Sequence, residues 1–175
     1  MVFYIDKSIH TELASRDLTM PEIDFFDSLA TACRRGYCAL CGDHSSLDDL
    51  SKHLHGRSGD YYRVTLSHYA EQGVILKAVE KVFVLTFSPD SFEDTLPTIL
   101  KSSPNKFCAV PISNAQEWPF EGFCYLLAEN LNDCEFYDLI AKYYCASHSI
   151  RGVNIYLRFM SGGGNTINTE LKNCV

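Results

Sequence analysis

Two groups of residues in the last third of this 175-residue chain could act together on a phosphate group. Glu129 closes the continuous apolar run 123–128 (FCYLLA), and Gly162, Gly163 and Gly164 follow the β-rich run 153–159. In an open parallel sheet, ligands collect beyond the carboxyl ends of the strands. If the two runs are neighbouring parallel strands, a carboxylate and a glycine turn share one rim. Glycines allow close backbone approach, and successive N–H groups at a helix start favour anions. A carboxylate beside such a turn suits metal-assisted phosphate chemistry. The plainer alternative makes Glu129 a surface carboxylate near a helix and the glycines a tight strand-to-helix connection.

A second set of acids lies near the amino terminus. Asp6 ends the short apolar run 2–5, and Asp43, Asp48 and Asp49 follow another at 37–41. Acids gathered at one sheet edge can hold a divalent ion. Asp48 and Asp49 also suit the first turn of a helix, where the dipole favours negative charge. Cys38-x-x-Cys41, with His44, His53 and His55 nearby, invites a zinc or redox reading. His53-x-His55 is not a zinc spacing, however, and two cysteines in a short buried strand is the preferred reading. No local signature argues for a nucleophilic Cys–His or Ser–His pair. Trp118, Phe120 and Phe123 could stack on a base, although aromatics beside a strand start more often belong to a core.

The elements that must position these residues follow from periodicity and punctuation. Residues 2–5 form a strand. Thr19 then caps a helix with Pro21 in its first turn; Ile23, Phe26, Ala30 and Cys33 make its stripe, Arg34-Arg35 lie at its end, and Gly36 stops it. A short strand at 37–41 precedes a helix from Ser46 with Leu47, Leu50 and Leu54 as its stripe, ending at Gly56. Residues 56–60 read as a polar break, 61–72 as a third helix stopped by Gly73, and 74–79 and 82–87 as β-rich runs. A short helix within 95–102 and a strand at 106–112 follow. The connector 114–122 is the domain boundary, separating an N-terminal domain (1–113) from a C-terminal unit (123–175). In that unit a buried strand leads to Asn132 and Glu135, spaced as a capping box. The helix that follows runs to about Cys145 with Phe136, Ile140 and Tyr143 or Tyr144 on one face. A second strand, the glycine turn and a last short helix complete a βαβ pattern, for which parallel pairing is expected. The fold class is therefore α/β: a mixed α/β N-terminal unit followed by a partial parallel βαβ unit.

The run LLAENLNDCEFYDLI, followed by VNIYLRFMSGGGNTI, resembles the opening half of a Toprim domain, over about 50 residues. It is closest in feel to the Toprim domains of OLD-type nucleases and related bacterial defence proteins. The resemblance implies that Glu129 is the first-strand glutamate, acting as metal ligand or general acid/base. It implies that Asp133 is the acid slightly further on, and that Gly162–Gly164 form the turn that approaches phosphate. It further implies Mg²⁺ as cofactor, and DNA or RNA as a partner reached through the metal. Asn130 stands where the family usually has glycine, and the family's later Asp-x-Asp has no counterpart before Val175. Magnesium asks for near-octahedral oxygen ligation from more than one donor. The metal site is therefore expected to be incomplete: the chain is a fragment of a longer one, or a protein partner or second copy completes the site, or the unit has no catalysis. The N-terminal order of elements is loosely similar to PIN-like nuclease domains, which implies Asp6 and Asp43 as alternative metal ligands. A non-catalytic interaction module is the remaining reading.

Composition narrows the classes. An apolar fraction of 46% with 13% aromatics supplies a core, and 21% charged residues is not the profile of a disordered chain. A net charge of -7 lacks the basic excess of proteins that coat nucleic acid. The opening MVFYIDKSIH lacks the pattern of a signal peptide, and no apolar run approaches a membrane span. A cytoplasmic chain with eight reduced cysteines and no membrane association is the expectation.

Overall fold

The computed structural model describes residues 1–90, 96–102, 107–115, 124–128, 130–148, 150 and 157–161. It is an α/β protein. Four strands, β1 (Val2–Ile5), β2 (Ala39–Gly42), β3 (Val82–Thr86) and β4 (Phe107–Pro111), form one all-parallel sheet in the order β2-β1-β3-β4. Helices make every crossover: α1 (Ser8–Leu13) and α2 (Met20–Arg34) join β1 to β2. From β2 the chain passes through α3 (His44–His53), α4 (Gly56–Ser67), a 3₁₀ turn (Tyr69–Glu71) and α5 (Gln72–Ala78) to β3. The short α6 (Thr98–Lys101) precedes β4, and α7 (Ile112–Ala115) follows it.

Both faces of the sheet are covered, as a parallel sheet requires. Alternation along each strand divides the core in two. Phe3, Ile5, Leu40 and Leu85 pack against α2, α3 and α4 through Phe26, Leu29, Leu47, Leu50 and Tyr62. On the other face, Tyr4, Cys41, Val82 and Val84 meet Ile75 and Leu76 of α5 and Leu100 of α6. Each of these large apolar side chains contributes about 1.5–3 kcal/mol when fully buried. The Tyr62 hydroxyl donates to the Phe26 carbonyl at 3.0 Å, so the largest buried side chain is satisfied as well as packed.

The helix ends follow their sequence signals closely. The Thr19 N–H donates to the Glu22 carboxylate at 2.8 Å, with Pro21 in the first turn of α2. At the other end Gly36 adopts φ 79°; its N–H donates to the Cys33 carbonyl and that of Tyr37 to Ala32, the paired closure that a left-handed glycine permits. Three expectations are overturned. Residues 56–60, read as a polar break, are the start of α4; residues 74–79, read as β-rich, lie largely in α5; and the helix expected at 61–72 is instead the rest of α4, the 3₁₀ turn and the start of α5. Val74 and Ile75 suggested a strand, but the buried set is Gln72, Ile75 and Leu76, with Val79 packed beside them, which is helical spacing.

The C-terminal unit holds β5 (Cys124–Ala128), α8 (Leu131–Ser147) and β6 (Leu157–Ser161). β5 and β6 pair in parallel, with Cys124 opposite Leu157 and Ala128 opposite Ser161. α8 packs on both strands. It starts two residues earlier than the sequence implied. Asn130 is its cap, accepting from the Asp133 N–H at 3.0 Å while its amide donates to the Asp133 carboxylate at 2.8 Å. No helix among the described residues is long and apolar enough to cross a membrane.

Candidate functional site

The carboxyl edge of the large sheet carries most of the buried polar chemistry. β1 and β2 run in register, with Ile5 opposite Gly42, so Asp6 and Asp43 leave adjacent strands side by side. The sequence named both acids, and the fold brings them to one edge. Their surroundings differ. Asp6 is fully buried, and its N–H still donates to the Leu85 carbonyl at 3.0 Å. Its carboxylate accepts from the Ser8 N–H at 3.0 Å and from the Thr86 hydroxyl at 3.2 Å. Because Thr86 donates there, the Ser8 hydroxyl, 2.8 Å away, donates to Thr86. The N–H groups of Phe87 and Ser88 donate in turn to the Ser8 and Thr86 hydroxyls. The result is a closed network that ties β1 and α1 to the exit of β3.

Asp43 continues from β2 and caps α3. Its N–H donates to Ile5, and its Oδ1 accepts from the N–H groups of Ser45 and Ser46. Ser46 joins the two acids: its hydroxyl donates to the Asp6 carbonyl at 2.8 Å and accepts from the His10 N–H at 3.2 Å. Tyr4 sits beneath this edge, where burial, reinforced by the negative charge of Asp43, pushes its phenol pKa upward. Gln72 reaches the same edge from α5 and accepts from the Gly42 N–H at 2.9 Å. A Cβ on Gly42 would meet the Ile5 Cβ at 2.7 Å, so glycine is required where the two strand ends close together.

Sequence reasoning overlooked part of this edge. Ser8, the polar residue two positions after Asp6, was legible as an Asx-type turn partner. Thr86 was not, because it is 80 residues from Asp6 and comes close only through the sheet. His10 was missed too. Its Nδ1 lies 2.6 Å from the Asp49 Oδ2 on α3, a carboxylate-oriented imidazole of the kind that serves in proton transfer. Asp48 instead pairs with Lys52 on the surface of α3.

The cysteine and histidine cluster does not assemble. Cys38 and Cys41 belong to opposite faces of the sheet, as residues three apart in extended chain must. Cys38 meets Cys33 instead, sulfur to sulfur at 3.0 Å. His44 packs edge-on against Tyr69, His53 contacts the Asp49 carbonyl at 2.9 Å, and His55 stands at the start of α4. Among the described residues no three His, Cys, Asp or Glu side chains converge as a metal ligand set.

Glu129 and Gly162, Gly163 and Gly164 lie outside the described residues, as do Trp118, Phe120 and Phe123. The strands that precede the first two groups do pair in parallel, and their last partners are Ala128 and Ser161. Asp133 is engaged by Asn130 at the start of α8. Magnesium needs several free oxygen donors. Asp6 is enclosed by its network and Asp133 is held by its cap, so these side chains do not fit a magnesium site by themselves. Comparison of the chain with protein-family models, with curated proteins and with solved structures finds no match.

Proposed function

We propose that this chain is of Toprim lineage and handles nucleic-acid phosphates in a nuclease-type role, in bacterial defence. Glu129 and the turn Gly162–Gly164 are its working residues. The observation that supports this reading is the parallel, in-register pairing of β5 with β6, which ends at Ala128 opposite Ser161. Glu129 and Gly162 are the next residues in the chain after those two partners. A backbone turn rich in glycine offers N–H donors to phosphate without the steric cost of side chains. Glu129 acts as general acid/base toward the group bound there. A chain of net charge -7 gains little from its overall field, so affinity for a polyanion rests on these local donors. Mg²⁺, the metal that the lineage implies, requires carboxylates beyond the donors named above.

A second reading, a PIN-like ribonuclease using Asp6 and Asp43, is favoured by the exit of these two acids from adjacent parallel strands. The enclosure of the Asp6 carboxylate by Ser8 and Thr86 weighs against it.

The test is cleavage of labelled single- and double-stranded DNA and RNA by the full chain with added Mg²⁺ or Mn²⁺. Loss of cleavage in Glu129→Gln supports the first reading. Loss in Asp43→Asn, with Glu129→Gln still active, supports the second. Cleavage untouched by either substitution contradicts both.

A further inference from the structure

Among the described residues, α8 turns its apolar surface away from β5 and β6. The side that faces β5 and β6 carries Cys134, Asp138, Ala141 and Cys145, spaced i, i+4, i+7 and i+11, and the Cys134 thiol donates to the Leu126 carbonyl at 3.3 Å. The opposite side carries Phe136, Tyr137, Leu139, Ile140, Tyr143 and Tyr144, each between 45% and 73% exposed. At 100° per residue these six span an arc of about 160°, with no charged residue inside it between Phe136 and Tyr144; Asp133, one turn before Phe136, shares the same side of the helix. A solvent-facing helix in a monomer carries its polar residues there, and an exposed apolar patch of this size marks an interaction surface.

Five of these six positions are also symmetric about Ile140; Leu139 is the exception, its mirror position being Ala141. Counting outward from Ile140, Phe136 mirrors Tyr144 and Tyr137 mirrors Tyr143. Each pair also lies at equal angles on either side of Ile140 around the helix. A two-fold axis across an antiparallel helix pair brings each residue level with its mirror position on the other copy. Ile140 would face Ile140, and Phe136 would lie beside Tyr144, aromatic against aromatic without overlap. Six large side chains at these exposures offer on the order of 700 Å², close to one partner's share of a stable interface. The match between the area and the pseudo-palindrome selects the occupant.

We propose that the outer face of α8 is an isologous dimer interface, in which α8 packs antiparallel on α8 of a second copy with Ile140 on the two-fold axis. The proposal is independent of the phosphate-handling reading, since no residue of that site lies in the arc.

The experiment is sedimentation of the full chain from low to high micromolar concentration. The wild type is expected to move from monomer to dimer. Ile140→Glu and Tyr143→Glu are each expected to weaken the dimer by about tenfold or more. Lys142→Gln, outside the arc, leaves it unchanged. Circular dichroism checks that the exposed-site variants keep their helix content. Orientation is read by mild oxidation. Phe136→Cys mixed with Tyr144→Cys cross-links between copies, and neither cross-links with itself beyond the wild-type background. A wild type that stays monomeric, or a dimer that survives Ile140→Glu, overturns the proposal. Self-linking of Phe136→Cys overturns the antiparallel pairing.

Discussion

The Thr86 hydroxyl donates to the Asp6 carboxylate at 3.2 Å, joining the exits of β1 and β3 through two fully buried side chains. A polar pair in such a place is costly to break, because the surviving partner stays buried without its bond. Asp6→Ala is expected to lower stability by about 2–4 kcal/mol and Thr86→Val by about 1–2 kcal/mol. Urea denaturation of the two variants and of the double variant checks this. A double variant less destabilised than the sum shows that the two act as one unit.

Gly59 opens a contact that no other residue permits. It lies in the first turn of α4, and a Cβ there would press into the Leu54 carbonyl while meeting the Ser51 carbonyl at 3.1 Å. Both obstacles are backbone, so α3 and α4 would have to separate. Gly59→Ala is expected to cost about 1–3 kcal/mol, although alanine is the better helix former. Gly73, with open space around its position, is the control; Gly73→Ala is expected to be neutral or mildly stabilising in the same denaturation series.

The Cys33–Cys38 contact predicts selective thiol chemistry. Their hydrogen bond favours the thiolate of Cys38 and lowers its pKa, while the same contact, with burial, raises that of Cys33. Cys41, buried on the other face, is pushed up to about 12 and is inert. With a diazenedicarboxamide oxidant, the Cys38 thiolate adds to the reagent and the Cys33 sulfur then displaces it. Two hydrogens and two electrons pass to the oxidant as one S–S bond forms. Peptide mapping is expected to find Cys33 linked to Cys38 and Cys41 still free. A Cys38–Cys41 link would contradict the sheet register.

Acid should loosen one half-buried ion pair in a defined window. The Arg16 guanidinium forks onto both oxygens of Glu22, at 2.8 Å each, and holds its carboxyl pKa down to about 2 from an ordinary value of 4.5. The folded value lies below the unfolded one, so the unfolded chain takes up the proton first. The contribution to stability is complete above about 4.5 and fades as pH falls toward about 2. The stability difference between wild type and Glu22→Gln, measured by urea midpoints, should be largest near neutral pH and shrink through that range. A constant difference contradicts it.

Local signals made much of the fold legible. Thr19, Pro21 and Gly36 bracket α2 without help from tertiary structure, and the apolar runs at β1, β3 and β4 are short and sharply bounded. α5 was misread because its β-branched residues masked the 3–4 spacing of Gln72, Ile75 and Leu76. α8 was placed to within two residues at each end, and Phe136, Ile140, Tyr143 and Tyr144 do share one face, which turns outward. Periodicity identifies a face without saying what meets it. At the carboxyl edge, Asp6 and Asp43 were visible as strand-end acids. Thr86, Gln72 and the His10–Asp49 pair depend on crossovers of 30 to 80 residues, which a linear reading does not contain.

The central claim concerns phosphate handling by Glu129 and the glycine turn, and its most direct measurement is fluorescence anisotropy of a labelled single-stranded oligonucleotide titrated with the full chain. The account predicts saturable binding that Gly163→Asp weakens by about tenfold or more, through charge placed against phosphate. It predicts unchanged binding in Asp43→Asn. Equal affinity in Gly163→Asp and the wild type, or binding lost in Asp43→Asn alone, would contradict it.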